Sequence, residues 1–171
     1  MPIFNAIQAP AVCLGDDIDT DLIIAGRYLR TKNAQIWVDH IFEDLDTTLH
    51  TRLPGRILVA GKNFGCGSSR EQAAVSIQLA GVQAIVARSF SRIFFRNAIN
   101  LAIPLFEVPD ITCHDGDIIT CSLETGNVTV QDAANTMTYQ AHPLSERMLE
   151  IIAMGGLLPY IEKRMVSKKI H

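Results

Sequence analysis

A chain of 171 residues, 48% hydrophobic and 19% charged, carries enough apolar material for one domain with a real core and too little length for two large ones. Its formal net charge of −3 gives no electrostatic footprint for nucleic acid, no apolar run is as long as a membrane span, and the N-terminus lacks the basic head and apolar core of a secretory signal. Four cysteines (Cys13, Cys66, Cys113, Cys121) show neither Cys-x-x-Cys spacing nor a zinc-like pattern with histidine, so free thiols in a reducing cytoplasm are expected.

Ile7 to Leu14 reads as a strand. Gly15-Asp-Asp-Ile-Asp-Thr-Asp21 follows, dense in turn formers. Its carboxylates invite a calcium reading, but the spacing lacks the required glycine and terminal glutamate. Aspartates that satisfy turn amides explain the stretch equally well. Leu22 to Ala25 is a short apolar run, and Gly26-Arg-Tyr-Leu-Arg-Thr31 is a polar loop. Trp37 with Ile41 and Val38 with Phe42 are four apart, which predicts a helix within 33–53. Asp39, His40, Glu43 and Asp44 then face solvent, and a lone helical histidine such as His40 is more often not a catalytic base. Pro54-Gly55 is a turn.

The apolar run Ile57-Leu-Val-Ala60 leads into Gly61-Lys-Asn-Phe-Gly-Cys-Gly-Ser-Ser-Arg-Glu-Gln72, and an amphipathic run to Leu79 leads out. This predicts a strand, a glycine-rich turn and a helix that starts at the serines. Gly65 and Gly67 permit positive φ and close approach to the backbone. Ser68 or Ser69 can cap the helix, and Glu71 stands three after Ser68, the spacing of a capping box. Most such turns only connect elements, and the pattern is not a nucleotide loop: Gly-x-Gly-x-x-Gly is missing and Lys62 precedes the turn. Arg70 is what a simple cap does not need. Its fork can hold a carboxylate in a bidentate grip, beside free amides and the positive end of a helix dipole.

Gly81 stops this helix at a left-handed cap. Val82 to Ala87 has the composition of a buried parallel strand, so strand, helix and strand form a βαβ unit. Ser89 to Leu101 is a second helix, with Phe90, Ile93, Phe94 and Ala98 spaced for a buried face. Pro104 to Val108 is the next strand. Alternation around Thr125-Gly-Asn127 predicts an antiparallel hairpin. Pro143 to Met165 is a helical ending, capped by Ser145 and interrupted at Gly155-Gly156. Lys163-Arg164 with Lys168-Lys169 reads as a solvated helix end.

Asn63-Phe-Gly-Cys-Gly-Ser-Ser-Arg-Glu-Gln72 resembles the active-site loop of the 3-isopropylmalate dehydratase small subunits, a branch of the aconitase superfamily. Four further segments agree in order and spacing: Gly15 to Ile24, Arg27 to Thr31, Ala87 to Asn100, and Gly155-Gly-Leu-Leu158. The resemblance covers nearly the whole chain. It implies an α/β fold, a single swivelling β/β/α three-layer domain over residues 1–171, of which hydrophobic patterning independently supports only the central βαβα portion. It implies a cytoplasmic hydro-lyase subunit that isomerises a 2-hydroxy acid by removing water and adding it back. Ser68 would then be the base, as alkoxide, Ser69 would hydrogen-bond the substrate or the loop, and Arg70 would clamp a carboxylate over the open backbone at Gly67. Asp19, Thr20 and Asp21 would scaffold the cleft, and Asn97 would orient it or fix a neighbouring loop.

A departing hydroxide needs a Lewis acid. Cys66 is the one thiol in the loop, and a cluster needs several, so Cys66 is read as packing or loop-shaping and no metal is assigned to this chain. The expected cofactor is a [4Fe–4S] cluster carried by a separate large iron–sulfur subunit, with the cleft at the interface and no role for nucleic acid or membrane. The loop that carries Arg30 resembles one that closes over the substrate. A cation there would favour a substrate with an extra carboxylate, so homoaconitate, citrate and dimethylmalate stand beside isopropylmalate. Arg30 pointing to water, or binding the common carboxylates, are equal readings. An alternative of another class is a non-catalytic module that uses the Gly-Ser-Ser-Arg turn to bind an anion.

Overall fold

The structure, a computed structural model, describes residues 4–169 and their side chains as far as Val166, so the Lys168-Lys169 part of the basic cluster lies outside the described side chains. Strand β1 (Ile7–Cys13) organises the sheet because its two halves pair with different partners. Ala11 to Cys13 pair in parallel with β2 (Ile57–Ala60), while Ile7 to Pro10 pair antiparallel with β5 (Ile118–Cys121). On one side the parallel ladder continues through β3 (Ala84–Ala87) to β4 (Leu105–Glu107). On the other the antiparallel ladder continues through β6 (Asn127–Gln131) to β7 (Thr136–Gln140), giving the order β4-β3-β2-β1-β5-β6-β7.

Every residue of β2 and β3 is buried. Strands covered on both faces need continuous apolar runs, which Ile57 to Ala60 and Ala84 to Ala87 supply. Each large side chain there, such as Leu58 or Ile85, contributes about 1.5–3 kcal/mol by leaving water. The expected hairpin is β5–β6. Strand β7 was not legible: Thr136 to Gln140 is mostly exposed, so its alternation has no buried face to report.

The helices are α1 (Thr20–Ile23), α2 (Ala34–Asp39), α3 (Leu49–Arg52), α4 (Glu71–Leu79), α5 (Arg92–Asn100), α6 (Glu146–Ala153) and α7 (Leu157–Lys169). The helix expected within 33–53 is broken after α2. Phe42 turns to φ +57°, which lets its ring sink fully into the core and its amide donate to the Ile23 carbonyl at 2.9 Å. His40 and Glu43 are partly exposed and are held in a polar cluster with Tyr28. The His40 ring stacks on Tyr28 at 4.2 Å, and Glu43 accepts from the Tyr28 hydroxyl at 2.5 Å. Ser145 caps α6 as expected, and Ser91, which the sequence placed inside the helix, caps α5. On α5 the buried face is Phe94, Ala98 and Ile99, whereas Ile93 is half exposed.

Candidate functional site

Three loops leave the C-terminal ends of β1, β2 and β3 and bond to one another, the place where open parallel sheets carry their ligand sites. Asp17 N donates to the Lys62 carbonyl at 2.8 Å, Gly65 N to Ile18 at 2.7 Å, and Thr20 N to Cys66 at 2.8 Å. On the opposite side Phe64 N donates to Ser89 at 3.0 Å and Ser91 N to Phe64 at 2.9 Å. The loop of residues 61–70 thus runs as an irregular strand between the other two. Side chains finish the clamp. The Ser91 hydroxyl donates to the Gly65 carbonyl at 2.6 Å, Ser89 Oγ accepts from Asn63 N at 2.8 Å, and Asp16 accepts from Lys62 N at 2.7 Å. Ser89, Ser91 and Asp16 carried no role in the sequence. The only signal was that Ser91 precedes a helix, and its second bond, to Gly65, spans 26 residues.

Gly65 lies at φ +77° directly over the Phe94 ring, which itself packs edge-on against Phe64 at 5.1 Å. A Cβ at 65 would occupy the position of the Phe94 side chain. Gly67, at φ +89°, turns the chain outward over Asp19 and Thr20. Thr20 is buried, and its hydroxyl donates to the Ser68 carbonyl at 3.0 Å. Asp19 caps α1 by accepting from Leu22 N at 2.8 Å.

The expected helix start at the serines is incorrect. Helix α4 begins at Glu71, Arg70 holds the extended N-cap position, and no side chain caps it. The Thr20 bond to the Ser68 carbonyl, together with the turn at Gly67, carries the serines away from the helix axis. The consequence is chemical: neither serine hydroxyl is used for capping. Both side chains are exposed, and among the described residues neither hydroxyl has a protein partner. The amides from Ser68 to Gln72 also meet no acceptor among the described residues. Unused N–H groups at the mouth of a helix form an anion-binding surface.

Arg70 is mostly buried, and its Nη1 is fully engaged: it pairs with Asp21 and donates to the Ile24 carbonyl at 3.3 Å. The Nε–Nη2 edge has no partner among the described residues, and this is the edge that takes a carboxylate in a bidentate grip. Asp21 therefore positions the guanidinium without occupying its fork. Gly26 packs against the same group, 3.7 Å from Nη2 by its projected Cβ, so the loop from 26 to 31 borders Arg70. Arg27 anchors that loop by pairing with Asp44 at 2.6 Å and Glu43 at 3.3 Å. Arg30, on the same loop, is exposed and has no protein partner among the described residues.

The structure thus gathers Asp19, Thr20, Asp21, Cys66, Gly67, Ser68, Ser69 and Arg70 around one crossing of loops, with Arg30 on the bordering loop. Asn97 stands apart. It lines a 230 Å³ groove with Glu71, Val75 and Leu157, between the first turn of α4 and the flank of α5. Burial, followed by the carboxylates of Asp19 and Asp17, pushes the Cys66 thiol above its ordinary pKa and keeps it neutral. The described thiols do not converge on a cluster site: Cys66 is in the loop, Cys121 is buried in β5, and Cys13 and Cys113 lie together at the end of β1. No group of three or more histidine, cysteine or carboxylate side chains among the described residues is arranged to hold a metal.

Residues 17–108 match the Aconitase C-terminal domain family, a span that contains the second and third loops of the crossing and the first from Asp17 onward. The chain is 45% identical over 162 residues to a protein of Moorella thermoacetica named 3-isopropylmalate dehydratase small subunit, covering 93% of this chain and 96% of that one. It is 40% identical over 159 residues to the protein of the same name from Thermodesulfovibrio yellowstonii, covering 91% and 94%. It is similar in fold to the crystal structure of a 3-isopropylmalate dehydratase from Methanocaldococcus jannaschii, with a TM-score of 0.89 and 37% identity over 96% of this chain and 98% of that one.

Proposed function

Since the chain belongs to the Aconitase C-terminal domain family and, within it, to the small subunits of 3-isopropylmalate dehydratase, we propose that it supplies the carboxylate grip and the proton-transferring hydroxyl of a two-subunit hydro-lyase of leucine biosynthesis. The single observation that carries this is the pairing of an uncommitted Ser68 hydroxyl with an open Nε–Nη2 edge on Arg70, two residues apart on one clamped loop.

The reaction removes a proton from carbon beside a carboxylate, a proton of very high pKa. A base must stand close, and the charge that develops on the carboxylate must be met where it appears. Arg70 binds and orients that carboxylate, with Asp21 holding its far side. Ser68 accepts the proton at Oγ. The amides at the mouth of α4 and the Arg70 charge favour the alkoxide form that makes this transfer feasible. Ser69 hydrogen-bonds the substrate or secures the loop, and Gly67 lets the substrate lie against bare backbone. Thr20, through the Ser68 carbonyl, keeps residue 68 from drifting. The Lewis acid for the departing hydroxide is a [4Fe–4S] cluster held by a large subunit, against which this chain closes as a single swivelling domain in the cytoplasm.

The test is reconstitution. This chain alone is expected to show no turnover, with activity arising only when it is mixed with the large subunit in cluster-loaded form. Turnover by the isolated chain would overturn the proposal. Isopropylmalate is the expected best substrate. Arg30, exposed on the loop whose Gly26 borders Arg70, favours a second reading, a substrate with a further carboxylate such as homoaconitate or citrate. An assay across 2-hydroxy di- and tricarboxylates separates them, because Arg30→Val should lower activity on tricarboxylates alone.

Arg70→Lys replaces a planar fork with a point charge. A lost bidentate, charge-assisted contact is worth about 1.5–3 kcal/mol, so KM should rise by roughly 10–100-fold in steady-state assays. Melting temperature should hardly move, since the Asp21 pair is half exposed and contributes about 1 kcal/mol or less. An unchanged KM would remove Arg70 from substrate binding.

A further inference from the structure

Cys13 and Cys113 are 100 residues apart in sequence, yet their sulfur atoms lie 3.8 Å apart. Cys13 is the last residue of β1, and Cys113 lies in the loop that leads to β5. That loop is stapled to β1: Gly116 N donates to Ala11 at 2.9 Å, Ala11 N to Asp117 at 2.8 Å, and Cys13 N to Asp115 Oδ1 at 2.9 Å. Arg88 fixes its other end through the Ile111 carbonyl at 3.1 Å. Both thiols are half-buried and line an open cavity of 320 Å³ with Asp16, Gly61 and Arg88. Neither residue takes part in the grip on substrate described above.

We infer that Cys13 and Cys113 form a reversible dithiol–disulfide site that reacts with small disulfides entering this cavity. The Cys13 thiolate attacks one sulfur of a low-molecular-weight disulfide, breaking its S–S bond and releasing one thiolate. Cys113 then loses its proton to solvent and attacks the Cys13 sulfur, displacing the second thiolate. The two protein thiols are oxidised by two electrons, and the small disulfide is reduced to two thiols. The contact with Cys113 holds the Cys13 pKa below its ordinary value, which makes Cys13 the first to attack. The gap exceeds a disulfide bond by less than about 2 Å, within reach of side-chain rotation on two anchored backbones. Cys13 lies three residues before Asp16, which seats the start of the glycine-rich loop, so the bond would tie that loop's foundation to the opposite half of the sheet.

The probe is oxidised glutathione, applied to the full chain. The expected product is about 2 Da lighter, retains two of the four thiols, is linked between Cys13 and Cys113 by tandem mass spectrometry, and returns to the starting mass with dithiothreitol. Cys113→Ser should stop at the first step and keep one glutathione on Cys13. The inference is overturned if the wild-type chain keeps all four thiols, if the link involves Cys66 or Cys121, or if the Cys113→Ser chain carries its adduct elsewhere. The wild-type measurement decides the matter even where a variant folds poorly, and it is independent of whether the chain has a catalytic partner.

Discussion

Ser68→Ala is expected to lower kcat of the reconstituted two-subunit enzyme by about 10²–10⁴-fold, the range supplied by a positioned general base. KM should stay within a few-fold, because the grip resides in Arg70 and the helix-mouth amides. The fold should not register the change. Ser68 is exposed, its hydroxyl has no partner among the described residues, and Thr20 holds its carbonyl, which alanine retains. Melting should therefore shift by no more than about 0.5 kcal/mol allows. The outcome separates the two function classes. A passive anion-binding turn would lose some affinity and nothing else, whereas a base loses turnover with binding intact. A Ser68→Ala enzyme retaining more than a tenth of wild-type turnover would end the assignment of that hydroxyl.

Gly65→Ala is expected to be the most damaging single methyl group in the loop. Two costs combine: a left-handed backbone at φ +77° and a Cβ placed where the Phe94 side chain already sits. The first costs about 1–2 kcal/mol and the second about 1–3 kcal/mol. For a chain of this size that lowers the melting temperature by roughly 10 °C. Activity should fall further than stability, since relief requires the loop to lift off α5 and carry Ser68 and Arg70 with it. Gly67→Ala is the control. Its φ of +89° is also left-handed, but the nearest atoms to a new Cβ are Thr20 Oγ1 at 3.4 Å and Asp19 Cβ at 3.5 Å, ordinary contact. Only the backbone cost of about 1–2 kcal/mol applies there. Calorimetry showing equal melting for the two variants would contradict the role given to Phe94.

The parts of the fold legible beforehand were those whose information is local. Ile57 to Ala60 and, within the stretch read from Val82 to Ala87, Ala84 to Ala87 are apolar throughout, and the strands found there are buried throughout. Gly81 at φ +79° and the Ser145 cap on α6 are also local devices and were read correctly. Two errors share one cause. The helix within 33–53 stops because Phe42 bonds to Ile23, and the helix at the glycine-rich loop starts late because Thr20 takes the Ser68 carbonyl. Both bonds come from a segment distant in sequence, and they outweigh propensity and capping signals worth about 1 kcal/mol.

The order of residues along the chain was sufficient, by itself, to single out Gly65, Gly67, Ser68 and Arg70 as a group, because a turn, two hydroxyls and a fork within six residues need no distant partner to be recognised. It was also enough to place the family, through five segments in register. Tertiary structure alone decided how those groups are deployed. The pairing of Arg70 Nη1 with Asp21, the clamp of Ser89 and Ser91, the serine hydroxyls left free of the helix and the meeting of Cys13 with Cys113 all join residues 20 to 100 positions apart. Such contacts exist only once the parallel strands have brought their C-terminal ends to one edge of the sheet, and no local pattern encodes that edge.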